Sequence, residues 1–269
     1  MRMICIAALL ITTACMAQTV DLASKVNPFI GTSANLTKGE TVPRIDQYGN
    51  TVPGAVRPFG MLYWSPDPVK HFSGDLRNFY RFDDTTTRGF SLTHMSGQGC
   101  SLYGEVPILP MLGIPAVPPP WEPAPYFAKY NPNDQVAQPG YYAVKLDSGI
   151  RVQLAAAVRS GIAEIQFPAT GGAHTILVDL SPNLVRVNDT EVHLHGQTIT
   201  GSVAGGEMCA KQNQYRVYFV LQVEEAPTKV GTFNEIQLTN GDGSRHGSRT
   251  GAYISFPETM RTVHVRVGI

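Results

Sequence analysis

The sequence predicts an all-β protein built as a large antiparallel β-sandwich. Beyond the first twenty residues, no segment shows the 3.6-residue apolar period of an amphipathic helix. Short segments that alternate apolar and polar residues recur instead, with turn signals about every 8 to 12 residues. The 26 glycines and 20 prolines also suit many short strands joined by turns.

The strands are predicted mainly in the second half of the chain. The clearest is 261–267, where Val263, Val265 and Val267 share one face, as in a half-buried antiparallel strand. The segments 174–180 and 215–223 are more apolar and are predicted to be central. The other predicted strands are 141–147, 150–158, 162–167, 191–195, 197–203, 236–239 and 252–256, joined by hairpin-like turns such as 147–149, 159–161 and 240–243.

The first half is predicted to contain long loops, around 31–56 and 115–138. Loops of that length in a compact domain usually have a function or pack against a partner. Within the second, the proline-rich segment 115–125 is expected to be an extended surface strap.

Composition narrows the possible functions. The 21 basic and 21 acidic residues cancel, and no Lys/Arg cluster is present, so we expect no binding to nucleic acid or to an anionic membrane. Hydrophobic residues at 43% and charged residues at 16% fit one well-buried globular domain.

Residues 1–17 are predicted to be a secretory signal peptide. Arg2 precedes a short apolar core, and small residues follow up to Ala17. Cleavage after Ala17 is the favoured interpretation, and lipoprotein processing at Cys15 is the alternative. In both cases we expect export to the periplasm or the outside of the cell.

Two cysteines remain after removal of this segment, Cys100 and Cys209. They could form a disulfide in an oxidising compartment, or could be two buried thiols. Two cysteines so far apart are not a zinc signature.

An ordered set of motifs carries a family resemblance. It includes Val26-Asn-Pro-Phe-Ile-Gly-Thr32, Pro53-Gly-Ala-Val-Arg-Pro-Phe-Gly-Met61, Ser65-Pro-Asp67, Pro139-Gly-Tyr-Tyr142 and, as the most specific part, the segment from Arg88 to Cys100. The mature chain, 18–269, resembles the N-terminal domain of glycoside hydrolase family 92, the calcium-dependent, inverting exo-α-mannosidases.

The resemblance implies a sandwich of the galactose-mutarotase-like or supersandwich type, followed in the family by a C-terminal (α/α)6 barrel. The general acid, the general base and most calcium ligands come from that barrel, which has no counterpart before Ile269. We therefore expect a domain that is inactive alone, has no catalytic residue or metal ligand of its own, and needs the barrel as partner. The chain departs from the family at Met95, where leucine is usual, and at Ser101-Leu102, where an aspartate is often found.

The candidate site for a mannose-containing glycan is the loop that contains His94. Its glycines allow close approach to a ligand, and its polar side chains suit sugar hydroxyls; a tight loop with an internally satisfied histidine is the alternative. A second loop, 205–210, resembles a family loop that approaches the same interface, although a plain hairpin is the alternative. The candidate residues are His94, Ser96, Gly97, Gln98, Gly99, Cys100 and Cys209.

Other residues offer weaker candidates. Trp64 is the preferred tryptophan for stacking on a pyranose ring, with burial in the core as the alternative. His193 and His195 share one strand face and could chelate a metal, but a solvated face is favoured. Four carboxylates are interpreted as structural: Asp83, Asp84, Glu105 and Glu207.

Three functional hypotheses follow. The favoured one is the carbohydrate-facing domain of an α-mannosidase-like enzyme acting on mannose-containing glycans of glycoproteins. The alternatives are a free-standing carbohydrate-binding or partner-docking module and, with least support, a structural surface protein.

Overall fold

The computed structural model describes residues 21–35, 48–69, 80–97, 102–115, 126–181, 184–206 and 213–269. Within these ranges the chain forms one 3-10 turn (Ala23–Lys25) and seventeen strands. The first nine are β1 (Ala55–Val56), β2 (Tyr63–Pro68), β3 (Thr86–Ser91), β4 (Ile108–Leu112), β5 (Ala128–Gln138), β6 (Tyr141–Leu146), β7 (Arg151–Ala156), β8 (Ser160–Gln166) and β9 (His174–Asp179). The other eight are β10 (Arg186–His195), β11 (Thr198–Gly206), β12 (Tyr215–Val223), β13 (Lys229–Asn234), β14 (Leu238–Asn240), β15 (Gly243–Gly247), β16 (Thr250–Phe256) and β17 (Thr262–Gly268).

The predicted all-β, antiparallel fold is confirmed. A long sheet has the order β5–β6–β7–β8–β17–β12–β11–β10–β15. A short sheet has the order β14–β13–β16–β9–β4–β3–β2, with β1 paired to β2. The first residues of β5 also pair with β3, so this strand connects the two sheets. Every pairing is antiparallel, and the long and short sheets form the two layers of the sandwich.

The alternation of apolar and polar residues along each strand decides which side chains fill the space between the sheets. On β17, Val263, Val265 and Val267 are buried and Arg266 is exposed, as the sequence predicts. The main core cluster draws on both sheets, with large side chains such as Phe90, Tyr142 and Ile254. Burial of so much apolar surface is the principal favourable term in the folding free energy.

The central strands of the short sheet are buried on both faces. All seven residues of β16 are buried, and β9 is buried over its first five residues. A second apolar cluster therefore forms, consisting of Leu109, Leu177, Phe233 and Tyr253 with Ile114 and Tyr126 packed against it. Ile114 and Tyr126 flank the predicted strap, 115–125, of which residues 116–125 are outside the described part of the chain.

The structure corrects part of the strand and loop assignment predicted from the sequence. The loop predicted at 115–138 is wrong over 128–138, because β5 occupies those residues and accommodates Asn131-Pro-Asn-Asp134 in an irregularity of its pairing with β6. Strands β1 to β4, β13 and β15 were not predicted, and β1 lies at the end of the loop predicted at 31–56. In β15 the sequence Gly-Ser-Arg-His-Gly has no apolar side chain to reveal its period, and backbone pairing with β10 holds it.

Some expectations fall outside the described part of the chain. The signal peptide at 1–17, Cys15 and Glu207 all belong there. In the described ranges, no helix is long and apolar enough to span a membrane.

One surface pair makes the stability of the sandwich depend on pH. His264 on β17 donates from Nδ1 to Glu225 Oε1 at 2.7 Å, and its backbone N–H donates to Glu225 Oε2 at 2.9 Å. The hydrogen bond to Glu225 raises the pKa of His264 above its ordinary value. Because the folded state has the higher pKa, the stabilisation is complete below the unfolded pKa of about 6.5 and is lost as pH rises through the folded value.

We predict that His264→Gln removes this pH-dependent part of the stability. Urea unfolding at about pH 6 and at about pH 9 should show a smaller decrease in the variant than in the wild type, by at most about 1 kcal/mol because the pair is half exposed and screened. Glu225→Gln should flatten the dependence in the same way, since it removes the cause of the shift. Equal pH dependence in all three proteins would contradict the assignment.

Candidate functional site

His94 is held by two acceptors below the protein surface. Its Nε2 lies 2.9 Å from Asp67 Oδ1, and its Nδ1 lies 2.9 Å from the carbonyl oxygen of Tyr63. Nδ1 donates to the carbonyl oxygen of Tyr63, because a carbonyl oxygen can only accept, and Nε2 is hydrogen-bonded to the Asp67 carboxyl group. The side chains are 2% and 0% exposed. His94 is thus internally satisfied, which was the alternative interpretation, and it has no free donor for a sugar hydroxyl.

Asp67 binds more than the histidine. Its Oδ2 accepts from Ser91 Oγ at 2.6 Å, and its backbone carbonyl accepts from Thr87 Oγ1 at 2.9 Å. These bonds connect β2 to β3 and to the residues that follow β3. The sequence pattern Ser65-Pro-Asp67 marked the motif, but not this role.

Ser96 and Gly97 follow His94 in the chain and are exposed. Ser96 Oγ is 2.8 Å from Tyr63 OH and accepts from the backbone N–H of Val52 at 3.3 Å. Gly97 has φ +78°, and its N–H donates to the carbonyl of Asn50 at 2.8 Å. A side chain at Gly97 would meet open space, so the glycine is required by its backbone conformation, not by crowding.

Glu105 is the functional candidate that sequence reasoning assigned to structure. It is 3% exposed, and its two carboxylate oxygens accept from Thr93 Oγ1 and Tyr215 OH. Its backbone N–H donates to Thr93 Oγ1 at 2.9 Å. Burial raises the pKa of Glu105, while the bonds from Thr93 and Tyr215 act in the opposite direction. A buried carboxyl with a perturbed pKa beside a cavity is typical of functional sites.

The backbone around Glu105 is unusual. Tyr103, Gly104 and Val106 have φ values of +64°, +85° and +61°. The left-handed region is disfavoured for a residue with a β-branched side chain, at a cost on the order of 1–3 kcal/mol for each non-glycine residue. The surrounding hydrogen bonds and packing must offset this cost. Two of the four described non-glycine residues with positive φ, Tyr103 and Val106, thus lie within two residues of Glu105.

The stems of the two candidate loops meet at this point. The first loop emerges after Gly97 and returns at Leu102; the second leaves β11 at Gly206 and returns before β12. The rings of Tyr103 and Tyr215 are in edge contact at 5.2 Å. A Cβ built at Gly205 would lie 3.3 Å from both Glu105 Oε1 and Tyr215 OH. The candidates Gln98, Gly99, Cys100 and Cys209, and with them the disulfide, lie outside the described residues.

Two cavities have Tyr215 in their lining. One, of about 570 Å³, is lined by residues that include Met61, Thr93, His94, Met95, Tyr103 and Ile269. The other, of about 590 Å³, is more polar and is lined by residues that include Arg186, Asn188, Asp189, Gly205 and Gln214. Tyr215 and Arg216 line both cavities. Both volumes lie in the range of roughly 300–1,000 Å³ that is usual for small-molecule sites.

The position of Trp64 contradicts the prediction that it stacks on a pyranose ring. It is 1% exposed, belongs to the main core cluster, and donates its indole N–H to the carbonyl of Phe90 at 3.0 Å. Neither face of the ring is available to a sugar. The apolar volume of tryptophan favours the core here, and one backbone carbonyl satisfies its polar atom.

The remaining candidates take surface roles. Asp84 Oδ2 accepts from the backbone N–H of Arg81 at 3.0 Å, a local turn bond as expected. His193 contacts Glu191 and Ser244, whereas His195 contacts Asp242, so they have separate partners on an exposed face.

One described group has the composition of a metal site: Glu224, Glu225 and His264, with one ligand atom from each within 4.8 Å of the others. Glu224 is paired with Arg266 and Glu225 with His264. An exposed ion-pair network accounts for this arrangement.

The comparisons agree with the fold and the motifs. The model of the glycosyl hydrolase family 92 N-terminal domain matches residues 25–269. The family GH92 α-mannosidase BT3965 from Bacteroides thetaiotaomicron is 27% identical, with a TM-score of 0.76 over 93% of this chain and 33% of that chain. The same enzyme in complex with mannoimidazole gives a TM-score of 0.75 over 91% and 32%.

A more distant structure agrees in fold. The family GH92 inverting mannosidase BT2199 from Bacteroides thetaiotaomicron VPI-5482 is 23% identical, with a TM-score of 0.73 over 93% of this chain and 32% of that chain. The chain thus spans about a third of the length of these structures. Among curated proteins, none matches it.

We predict that His94→Gln destabilises the fold strongly. The substitution leaves the buried Asp67 carboxylate without one of its two side-chain partners, and breaking a buried ion pair on one side typically costs about 3–5 kcal/mol. Urea unfolding should show this loss, and the double variant with Asp67→Asn should lose less than the sum of the single variants. Additive losses would show that the two side chains are not coupled.

We predict that Trp64→Phe also lowers stability, by about 1–3 kcal/mol, because it leaves the buried Phe90 carbonyl without its donor. Thermal or urea unfolding measures the effect. A variant as stable as the wild type but impaired in sugar binding would restore the stacking role.

Proposed function

The chain belongs to glycosyl hydrolase family 92, and from that premise we propose that it is the carbohydrate-facing domain of an α-mannosidase-like enzyme acting on mannose-containing glycans. The main support is the convergence of the two candidate loop stems on Tyr103, Glu105 and Tyr215, between two cavities of suitable size. The relatives are described as α-mannosidases, one of them bound to mannoimidazole and one inverting. An exported or lipid-anchored location remains part of the proposal, on the strength of residues 1–17 and Cys15.

We further propose that the partner is a C-terminal (α/α)6 barrel, seated on the face of the sandwich around the 570 Å³ cavity. Large apolar side chains are exposed on this face: Phe59 (104%), Met61 (54%), Met95 (38%), Val158 (46%), Tyr218 (68%) and Val220 (42%). Extended apolar surface of this kind usually marks an interaction site. The relatives are about three times as long as this chain.

The acid, the base and the calcium ligands are assigned to the barrel. Inverting hydrolysis needs two carboxyl groups with room for a water molecule between one of them and the sugar. Of the buried carboxyls near the cavities, Asp67 accepts from His94 and Ser91, and Glu105 accepts from Thr93 and Tyr215. These oxygens are committed to protein donors, so they do not suit a calcium ion, which takes six to eight oxygen ligands.

This function predicts that the isolated chain does not hydrolyse an aryl α-mannoside, with or without calcium. Release of nitrophenol from 4-nitrophenyl α-mannoside should equal that of a buffer control. Turnover that follows the chain through purification would show that the domain carries its own acid and base. In that case the assignment of both groups to the barrel would fail.

The exposed apolar face around the 570 Å³ cavity allows a second test of the same proposal. Without its partner the chain should self-associate at high concentration through this face, and Met61→Asp or Tyr218→Asp should lower the association measured by sedimentation velocity. Ile236→Asp is the matched control, since Ile236 is 87% exposed on the β13–β14 connection of the short sheet. A monodisperse wild type that binds mannosides would favour the free-standing binding module.

A further inference from the structure

The hydrogen bonding of Tyr215 fixes what its phenol oxygen can offer a ligand. Its hydroxyl proton is donated to Glu105 Oε1, and a phenol has only one proton. The oxygen therefore presents lone pairs alone to its remaining surroundings. Tyr215 lines both cavities.

The hydrogen bonds of Glu105 keep its carboxylate in position to accept the Tyr215 hydroxyl proton. The other carboxylate oxygen is occupied by Thr93 Oγ1, which in turn accepts from the Glu105 backbone N–H. Glu105 is 3% exposed, and Tyr103, Gly104 and Val106 beside it in the chain have left-handed backbone. Gly205 passes close to the Glu105–Tyr215 bond, and any side chain there would press against both atoms.

We propose that Tyr215 is a ligand-contacting acceptor for a hydroxyl group of a neutral sugar, and that Glu105 is the positioning residue that fixes its polarity. The sugar class rests on the proposed function; the acceptor role rests on the hydrogen bonds alone. Tyr103 packs its ring edge-on to Tyr215 and limits the orientations of the phenol.

The groups that face Glu105 come from three parts of the chain. Thr93 and His94 follow β3, Tyr103 belongs to the same loop as Glu105, and Tyr215 starts β12. Asp67 is hydrogen-bonded to His94, and Arg216, next to Tyr215, is paired with Asp189.

Burial raises the pKa of Glu105, so its carboxylate should take up a proton at a higher pH than an ordinary glutamate. A protonated Glu105 is a weaker acceptor for the Tyr215 hydroxyl proton. The Tyr215 oxygen then no longer acts only as an acceptor towards a ligand.

The test is a binding titration of the full chain with methyl α-D-mannopyranoside, observed through ¹³C-methyl methionine signals. Met61 and Met95 line the 570 Å³ cavity and report on it in every variant. Tyr215→Phe keeps the ring and removes the oxygen, and should weaken binding by about tenfold, as expected for one hydrogen bond. Tyr141→Phe is the matched control: its hydroxyl is bonded to Gln153 at 2.9 Å, away from both cavities, and its loss should leave affinity unchanged.

The pH profile tests Glu105 separately from its structural role. Wild-type affinity should fall on acidification, with a midpoint above the pKa of about 4.3 for a free glutamate. Glu105→Gln should abolish this acid limb, and circular dichroism checks that the variant is folded. If it does not fold, Thr93→Ala replaces it: loss of a bond that lowers the Glu105 pKa should move the midpoint to higher pH.

The outcomes separate this inference from the proposed function. Binding that is equal in wild type and Tyr215→Phe overturns the inference, as does a pH profile unchanged by the Glu105 or Thr93 variant. Absence of methyl shifts with both the mannoside and methyl α-D-galactopyranoside also overturns it. Shifts with the galactoside alone, lost in Tyr215→Phe, would support the acceptor while removing the mannose part of the proposed function.

Discussion

The buried Asp67 carboxylate is the interaction on which the cavity end of the sandwich depends. It has no exposed side-chain surface, and each of its oxygens has a donor: His94 for one and Ser91 for the other. A carboxylate in such a place is tolerable only with its partners in position, since an unpaired buried charge costs several kcal/mol. The requirement therefore fixes how the chain leaves β3, and with it the direction of the candidate loop.

A second buried carboxyl, that of Glu105, holds the same segment from the other side. Thr93 and His94 are consecutive residues just after β3, and their side chains bind different carboxyl groups. Thr93 reaches Glu105, and His94 reaches Asp67. The backbone between them is thereby held on both sides, and Tyr215 extends this network to β12. One connected polar network thus positions the stems of both candidate loops, which belong to segments about a hundred residues apart.

The sequence predicted what periodicity can express. Strands β6 to β12, β16 and β17 carry clear apolar alternation or apolar runs, and they lie close to their predicted places. β5 was missed because Asn131-Pro-Asn-Asp134 is typical of a turn, and its tolerance depends on the irregular pairing with β6. Glu105 could not be recognised as special, since its partners Thr93 and Tyr215 become neighbours only in the folded chain. For Trp64, one sequence context fitted both a sugar platform and the core, and only the completed packing decides between them.

The hydrogen bonding of Asp67 and Glu105 bears on which catalytic tasks the proposed function leaves to the barrel. A general acid or base needs a carboxyl whose proton can move to or from the substrate, and a calcium site needs carboxylate oxygens with free lone pairs directed at the ion. Asp67 and Glu105 use their oxygens to order the protein, so under the proposed function the domain would contribute geometry and hydrogen-bond polarity, and bond cleavage would fall to the proposed barrel. The left-handed backbone beside Glu105 is consistent with that division, because strain at a site persists only where a defined geometry is maintained against it. The feature that such a domain would add to a glycosidase is a surface whose acceptors are fixed before the sugar arrives, which lowers the ordering cost of binding.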